Sequence, residues 1–192
     1  MNFDKLKQFR QSAYTLLGQG KDAIFDLMDA VLTSPRVNSF VELSLSPVFR
    51  RAWSSLYAGL RNGRPQRRKL MQLYTEQMPT EPRPLLAGDH TAWPRPEART
   101  LKDRTIEHQP TQIAGNKPIA VGHGFSTIAW IPEAQGSWAL PLRHERITSF
   151  ETPLSRAAFQ LKQVCKHLVV RPIATYDSEY GNASNVHADG GD

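Results

Sequence analysis

The sequence predicts an α+β protein, a helical bundle followed by a mixed sheet in the order strand, strand, strand, helix, strand. Three observations carry that prediction. Apolar residues recur at helical spacing up to about residue 80 and at strand-like spacing beyond it. A proline-rich connector, Pro79 to Pro84, marks the change. Two short apolar runs of the second part each end on a carboxylate, Pro84-Leu85-Leu86-Ala87-Gly88-Asp89 and Arg171-Pro172-Ile173-Ala174-Thr175-Tyr176-Asp177. An apolar run that stops on an acid reads as a buried strand carrying an Asp to the exposed end of a sheet. The predicted organisation is a basic helical region over 1–80, a sheet domain over 81–184 and a polar tail over 185–192.

The helices follow in order. Phe3, Leu6, Phe9, Ala13, Leu16 and Leu17 share one helical face, with Asn2 as cap, and Gly18 and Gly20 end the helix. Ala23, Ile24, Leu27, Met28, Val31 and Leu32 form the stripe of a second helix, stopped by Ser34-Pro35. Ser39 with Glu42 fits a capping box for a short third helix. Ser46-Pro47 reads as an N-cap with proline at the first helical position, followed by Val48, Phe49, Ala52, Trp53, Leu56, Tyr57 and Leu60, with Gly63 as the stop. On this pattern Trp53 and Tyr57 read as packing residues rather than base-stacking ones. A last helix carries Leu70, Leu73 and Tyr74, and its meeting with the preceding helix near Gly63 allows a helix-turn-helix reading.

After the Asp89 strand comes a polar stretch, then Ile119-Ala120-Val121 and Phe125 to Ile131 as one or two strands, with Gly122 and Gly124 marking a bulge or a close backbone approach. Trp138 to Leu142 reads as a further strand, near an edge because of Pro141. Thr152-Pro153 opens a helix with Leu154, Ala157, Ala158, Leu161, Val164, Cys165 and Leu168 inward. Antiparallel strands followed by a helix that crosses to a strand parallel to the first are the opening of a ribonuclease H-like domain. In that arrangement the first and last of these strands are neighbours, so Asp89 and Asp177 face one another. Paired carboxylates are how proteins hold divalent metal for phosphodiester chemistry.

Charge points to a partner. The net charge is +6, and the first eighty residues hold twelve Lys/Arg against six Asp/Glu, while the remainder is balanced. The excess is densest from Arg50 to Lys69, which holds Arg50, Arg51, Arg61, Arg64, Arg67, Arg68 and Lys69 and no acid. A basic cluster of this kind suggests nucleic acid, because phosphate neutralisation supplies most non-specific affinity; a solvated basic face is the plainer reading. A single cysteine, Cys165, excludes an internal disulfide framework and any cysteine-clustered zinc site. No segment approaches a membrane span and Met1 to Lys5 lacks the order of a secretory signal, so a cytoplasmic protein with no membrane partner is expected.

Here the chain resembles a known family. Leu85 to Pro96, LLAGDHTAWPRP, is similar to the first-aspartate segment of bacterial insertion-sequence transposases with a DDE catalytic core. Thr100 to His108 is similar to the segment that follows it there, and Tyr176-Asp177-Ser178-Glu179-Tyr180-Gly181-Asn182 to the second-aspartate segment. The helical first part is like the N-terminal region of such enzymes. The resemblance implies DNA transposition by three acids and two magnesium (or manganese) ions, with Asp89 bridging both metals and Asp177 holding one. It implies double-stranded DNA, in the form of transposon ends, as partner, and a possible homo-oligomer. The family's third acid, a Glu on a downstream helix, has no counterpart, and the tail from Asn185 to Asp192 is polar. The expectation is a truncated transposase that binds DNA, carries two of three metal-binding carboxylates and is catalytically incomplete alone, with marginal folding or self-association.

Around the two catalytic and metal candidates, Asp89 and Asp177, the nucleic-acid candidates are Arg61, Arg64, Arg67, Arg68 and Lys69, joined by Arg95 and Arg99 in the loop after Asp89. Arg95, Arg99 and Arg104 match phosphate oxygens, although ion pairs with Asp103 and Glu107 compete. Two other readings remain open. One is a small metal-dependent nuclease that adds Glu179 to Asp89 and Asp177. The other is a non-catalytic DNA-binding regulator in which the sheet is a scaffold.

Overall fold

The computed structural model describes residues 3–108, 119–133, 135–136 and 138–177. The chain forms two compact units, Met1–Tyr74 and Thr75–Asp192. Together they are the mixed α+β architecture expected: helices first, then a mixed sheet of five strands consistent with a ribonuclease H-like core. The Asn2 cap and the tail after Asp177, with Glu179, lie outside the described residues.

The first unit holds α1 (Phe3–Leu16), α2 (Lys21–Thr33), α3 (Phe40–Leu43), α4 (Trp53–Asn62) and α5 (Arg67–Thr75). Its core is Leu27 and Ala30 of α2, Leu43 of α3, Phe49 and Leu56 of α4, all buried, with Val48 against them; Phe49 itself precedes α4. Removing side chains of this size from water contributes roughly 1.5–3 kcal/mol each. Ser39 caps α3 as its spacing predicts, accepting from the Glu42 amide at 3.1 Å.

Two expectations fail in this unit. The helix predicted from Pro47 begins instead at Trp53, behind an Ala52 that makes no side-chain cap. The intervening chain turns so that Phe49 enters the core while Arg50 and Arg51 reach back to α2. Trp53 and Tyr57 are not packing residues: they are 63% and 39% exposed, whereas Leu56 is buried. Gly59 explains the choice of face. A Cβ there would stand 3.1 Å from the Ala23 Cβ, so the slim Leu56–Gly59 side of α4 is the one that lies against α2.

The second unit holds β1 (Leu85–Pro94), β2 (Thr105–His108), β3 (Ile119–Ile131), β4 (Leu140–Ile147), α6 (Pro153–Cys165) and β5 (Ile173–Tyr176). The sheet order is β2-β3-β1-β5, with β4 also paired to β3. β1 is antiparallel to β3 and parallel to β5, and β2 and β4 are each antiparallel to β3. Thus α6 crosses between β4 and β5, and among the described residues β5 lies at an edge with β1 as its one neighbour.

Two predicted details are corrected and one open choice is decided. β1 does not stop at Asp89 but runs on to Pro94, because the chain from Asp89 stays paired with β3 up to Pro94↔Gly122. Residues 119–131 form a single long strand, in which Gly122 marks a close approach: a Cβ there would stand 2.2 Å from the Trp93 carbonyl oxygen. The strand predicted from Trp138 starts at Leu140, leaving Trp138 69% exposed. α6 starts as expected, Thr152 and Ser155 capping each other's amides. Its buried face is Ala157, Gln160 and Val164. Gln160, fully buried, accepts from the Ser126 hydroxyl at 2.7 Å and donates to the Ser126 carbonyl at 3.0 Å, tying α6 to β3. No described helix is long and apolar enough to cross a membrane.

Candidate metal centre and nucleic-acid interface

The sheet brings the two aspartates into neighbouring positions by register. The parallel ladder pairs Leu85↔Ile173, Leu86↔Ala174, Ala87↔Thr175 and Gly88↔Tyr176. The next residue on each strand is an aspartate, Asp89 on β1 and Asp177 directly after β5. Neighbouring strands run about 4.8 Å apart, so two side chains at matched positions reach a common point above the sheet. Alternation decides the face. Gly88, Ser126 and Ile128 point to the side where Gln160 of α6 lies, so Asp89 points to the other. Both aspartates are exposed. One Asp89 oxygen, Oδ1, accepts from the His90 amide at 2.7 Å.

What fixes that register is a close fit between Gly88 and Tyr176. A Cβ on Gly88 would stand 1.9 Å from a ring carbon of Tyr176, so the ring lies directly across the glycine of the facing strand. Upstream, Arg83 donates from Nε to the Arg171 carbonyl at 2.9 Å, and the Ile173 amide donates to the Pro84 carbonyl at 2.8 Å. β5 is therefore held at its entry by Arg83 and at its end by the tyrosine.

Sequence reasoning missed two polar residues in the same row. Asp89 pairs across the antiparallel ladder with Thr127, and Thr127 pairs with His144 of β4. The Thr127 hydroxyl lies 2.8 Å from His144 Nδ1, and the His144 ring stacks on Phe125 with centroids 5.1 Å apart. The only signal in the sequence is the alternation of β3, which sets Thr127 on the face opposite Ser126. His123, beside Gly122 and Gly124, is buried against Lys102, its Nε2 at 3.1 Å from that carbonyl.

A cation would find hard oxygen donors here and little else. Two exposed carboxylates fit an ion that keeps several waters in its shell, as magnesium does. Among the described residues no group of three or more His, Cys, Asp or Glu is close enough to hold a metal ion.

The loop after β1 uses its arginines on itself. The Arg95 guanidinium lies 4.1 Å above the Trp93 ring, and Arg104 donates to the carbonyls of Arg95 and Pro96. Asp103 pairs with Arg146 at 2.5 Å rather than with a loop arginine. Its carboxyl is held below the usual range, first by the Ser149 hydroxyl and also by the Arg146 charge, against some desolvation. Arg99 is exposed.

In the helical unit the basic stretch divides in two. Arg50 and Arg51 are engaged with α2: Arg50 stands 2.7 Å from buried Asp26, and Arg51 stands 3.4 Å from Asp26 and 3.5 Å from Asp22. Asp26 was not anticipated, because it sits inside an apolar helical run. Asp22 is held low, chiefly by the Tyr14 hydroxyl. Arg61, Arg67, Arg68 and Lys69 are exposed, and none forms an ion pair among the described residues. Arg64 is also exposed, but donates to the carbonyls of Arg61 and Gly63 and so closes the C-terminal end of α4. Arg67, Arg68 and Lys69 occupy the first turn of α5. Cations there work against the helix dipole, so their placement costs helix stability and concentrates positive potential.

No curated protein and no solved structure matches the chain. A family model described as DDE superfamily endonuclease matches residues 14–188, nearly the whole chain. The strand order and that match agree, and the chain belongs to the DDE superfamily endonuclease family.

Proposed function

We propose that this chain is a transposase-type protein that binds duplex DNA through its basic helical unit and holds a divalent metal between Asp89 and Asp177. Family membership already implies a nuclease or transposase type of function on DNA, with divalent metal as the usual cofactor. The observation that carries the finer reading is the β1–β5 register, which runs into an aspartate on both strands. When bound, magnesium or manganese would supply activation of an attacking oxygen and stabilisation of the leaving one. The chain's own contribution is to fix two short carboxylates on one exposed face beside Thr127. Their exposure leaves room for a DNA phosphate to complete the coordination. Two exposed carboxylates by themselves hold such an ion weakly, so a low metal affinity is expected. Transposon ends are the proposed form of the duplex, in the cytoplasm, and Arg61, Arg64, Arg67, Arg68, Lys69 and Arg99 are its proposed contacts. Arg95 serves there only by leaving the Trp93 ring.

Manganese titration followed by electron paramagnetic resonance tests the metal site. The full chain is expected to bind the ion, and Asp89→Ala or Asp177→Ala to lose it with the fold intact by circular dichroism. Equal binding by wild type and both variants would sink the assignment. Efficient metal-dependent nicking that survives Asp89→Ala would show that any cleavage is not carried by this pair.

A further inference from the structure

The outward face of α4 carries a second candidate site. Trp53, Tyr57 and Arg61 recur every four residues and so line one stripe of the helix. An open cleft of about 440 Å³ lies on that stripe, lined by Trp53, Ser54, Tyr57, Ala58, Arg61 and Asn62. Its aromatic wall is braced edge-on. Trp53 meets Tyr57 at 6.0 Å and 82°, and Phe40 of α3 meets Tyr57 at 6.3 Å and 80°. Edge contacts fix the rings while leaving ring faces free, and Trp53 remains 63% exposed.

We propose that this cleft takes an unpaired nucleobase of DNA, stacked on Trp53 and Tyr57, with Arg61 on the adjoining phosphate. The inference rests on the reading that the partner is DNA. Every base offers a π-face, so aromatic platforms beside a cationic track bind single strands with little sequence preference. The chemistry of the rim favours this occupant. Ser54, Asn62 and Arg61 present polar groups at the cleft, which an apolar helix from another protein would leave unmatched. A second copy of this chain would bring the same acid-free cluster of Arg61, Arg64, Arg67, Arg68 and Lys69 against itself, whereas a polyanion is complementary to it.

Fluorescence titration of the full chain with a short oligothymidylate tests the proposal. Wild type is expected to show quenched tryptophan emission. Trp53→Phe keeps a stacking ring and is expected to hold its affinity while losing the quenching. Trp53→Ala and Tyr57→Ala are expected to weaken binding at least ~5-fold, from the usual worth of base–aromatic stacking. Both side chains are exposed, so the fold survives their removal. Unchanged affinity in Trp53→Ala, or quenching that persists in Trp53→Phe, overturns the cleft. Duplex of the same length separates the two readings. Binding of duplex without oligothymidylate, or Trp53-dependent self-association seen by sedimentation without Trp53-dependent quenching, removes the cleft alone. Binding of neither form of DNA removes the DNA reading with it.

Discussion

The two candidate sites are assembled in opposite ways. The basic cluster is local: Arg61 to Lys69 are near neighbours in sequence, spread over the end of one short helix and the start of the next. The proposed carboxylate pair is non-local: Asp89 lies on β1 and Asp177 directly follows β5, and the parallel register of those two strands sets them in neighbouring positions. A local site tolerates single changes, because each cation adds its own increment. A register site is all-or-none, since a one-residue slip of β5 sends Asp177 to the other face of the sheet. The teaching is that the arginines should be probed in combination and the aspartates through the residues that align them.

The largest expected effect is on the helical core. Leu56→Ala removes a buried side chain packed among Leu27, Phe49 and Ala30, and large-to-small core changes of this kind cost about 2–5 kcal/mol. Denaturant unfolding should show that loss, and duplex affinity should fall while manganese binding persists. The converse break is Gly88→Ala, whose methyl group meets the Tyr176 ring and forces β5 to move. A cost of about 1–3 kcal/mol is expected from overpacking, with manganese binding lost and duplex affinity kept. If each substitution abolishes both readouts, the two sites are not separable and the comparison fails.

Gln160→Leu is the intermediate case. It leaves the buried Ser126 hydroxyl without its Gln160 partner and removes one hydrogen bond to the Ser126 carbonyl, which should cost about 1–3 kcal/mol in the same denaturant assay. Replacing Arg61, Arg67, Arg68 and Lys69 together with Ala should stabilise the fold slightly, because all four are exposed and the three in the first turn of α5 oppose its dipole at about 0.3–1 kcal/mol each. It should flatten the salt dependence of duplex binding, lowering the log–log slope by up to ~4 if each cation neutralises one phosphate. An unchanged slope would detach the cluster from DNA.

The smallest effect is on acid stability. Asp103 and Asp22 are held below the ordinary aspartate range by Ser149 and Tyr14 respectively. Glu151 loses some of its lowering to desolvation, but Arg156 and Thr148 still hold it below the ordinary glutamate range. A carboxylate depressed in the folded state contributes stability that is complete above its unfolded pKa and is lost as pH falls through the folded one. Thermal unfolding should therefore shift little from pH 7 down to the ordinary carboxylate range, and decline below it. A midpoint that rises on acidification through that range would contradict these assignments.

Much of this arrangement was legible. The helical-to-strand change, the Ser39 and Thr152 caps and the adjacency of the two aspartate strands follow from periodicity, turn chemistry and strand order. Other features were not. β2 is four residues inside a polar stretch and pairs with β3 without an apolar pattern to announce it. For α4, periodicity identifies residues that share a face but does not say which face turns inward; that was decided by Gly59, a residue with no hydropathy to count. The Ser46-Pro47 start failed because a buried carboxylate on another helix, Asp26, holds Arg50 and Arg51 in non-helical chain. Thr127 and His144 carry no motif and join the Asp89 row only through cross-strand pairing.

β5 is a four-residue strand with a single neighbour among the described residues. Such a segment is the first to fray, opening at a free energy well under that of the whole domain. Amide protons of Ile173 to Tyr176 should then exchange ahead of those in β1 and β3, and each fraying event would carry Asp177 away from Asp89. A cation seated between the two aspartates would act as a clasp, slowing that exchange in proportion to its occupancy and turning an edge ladder of the sheet into a reporter of ligand.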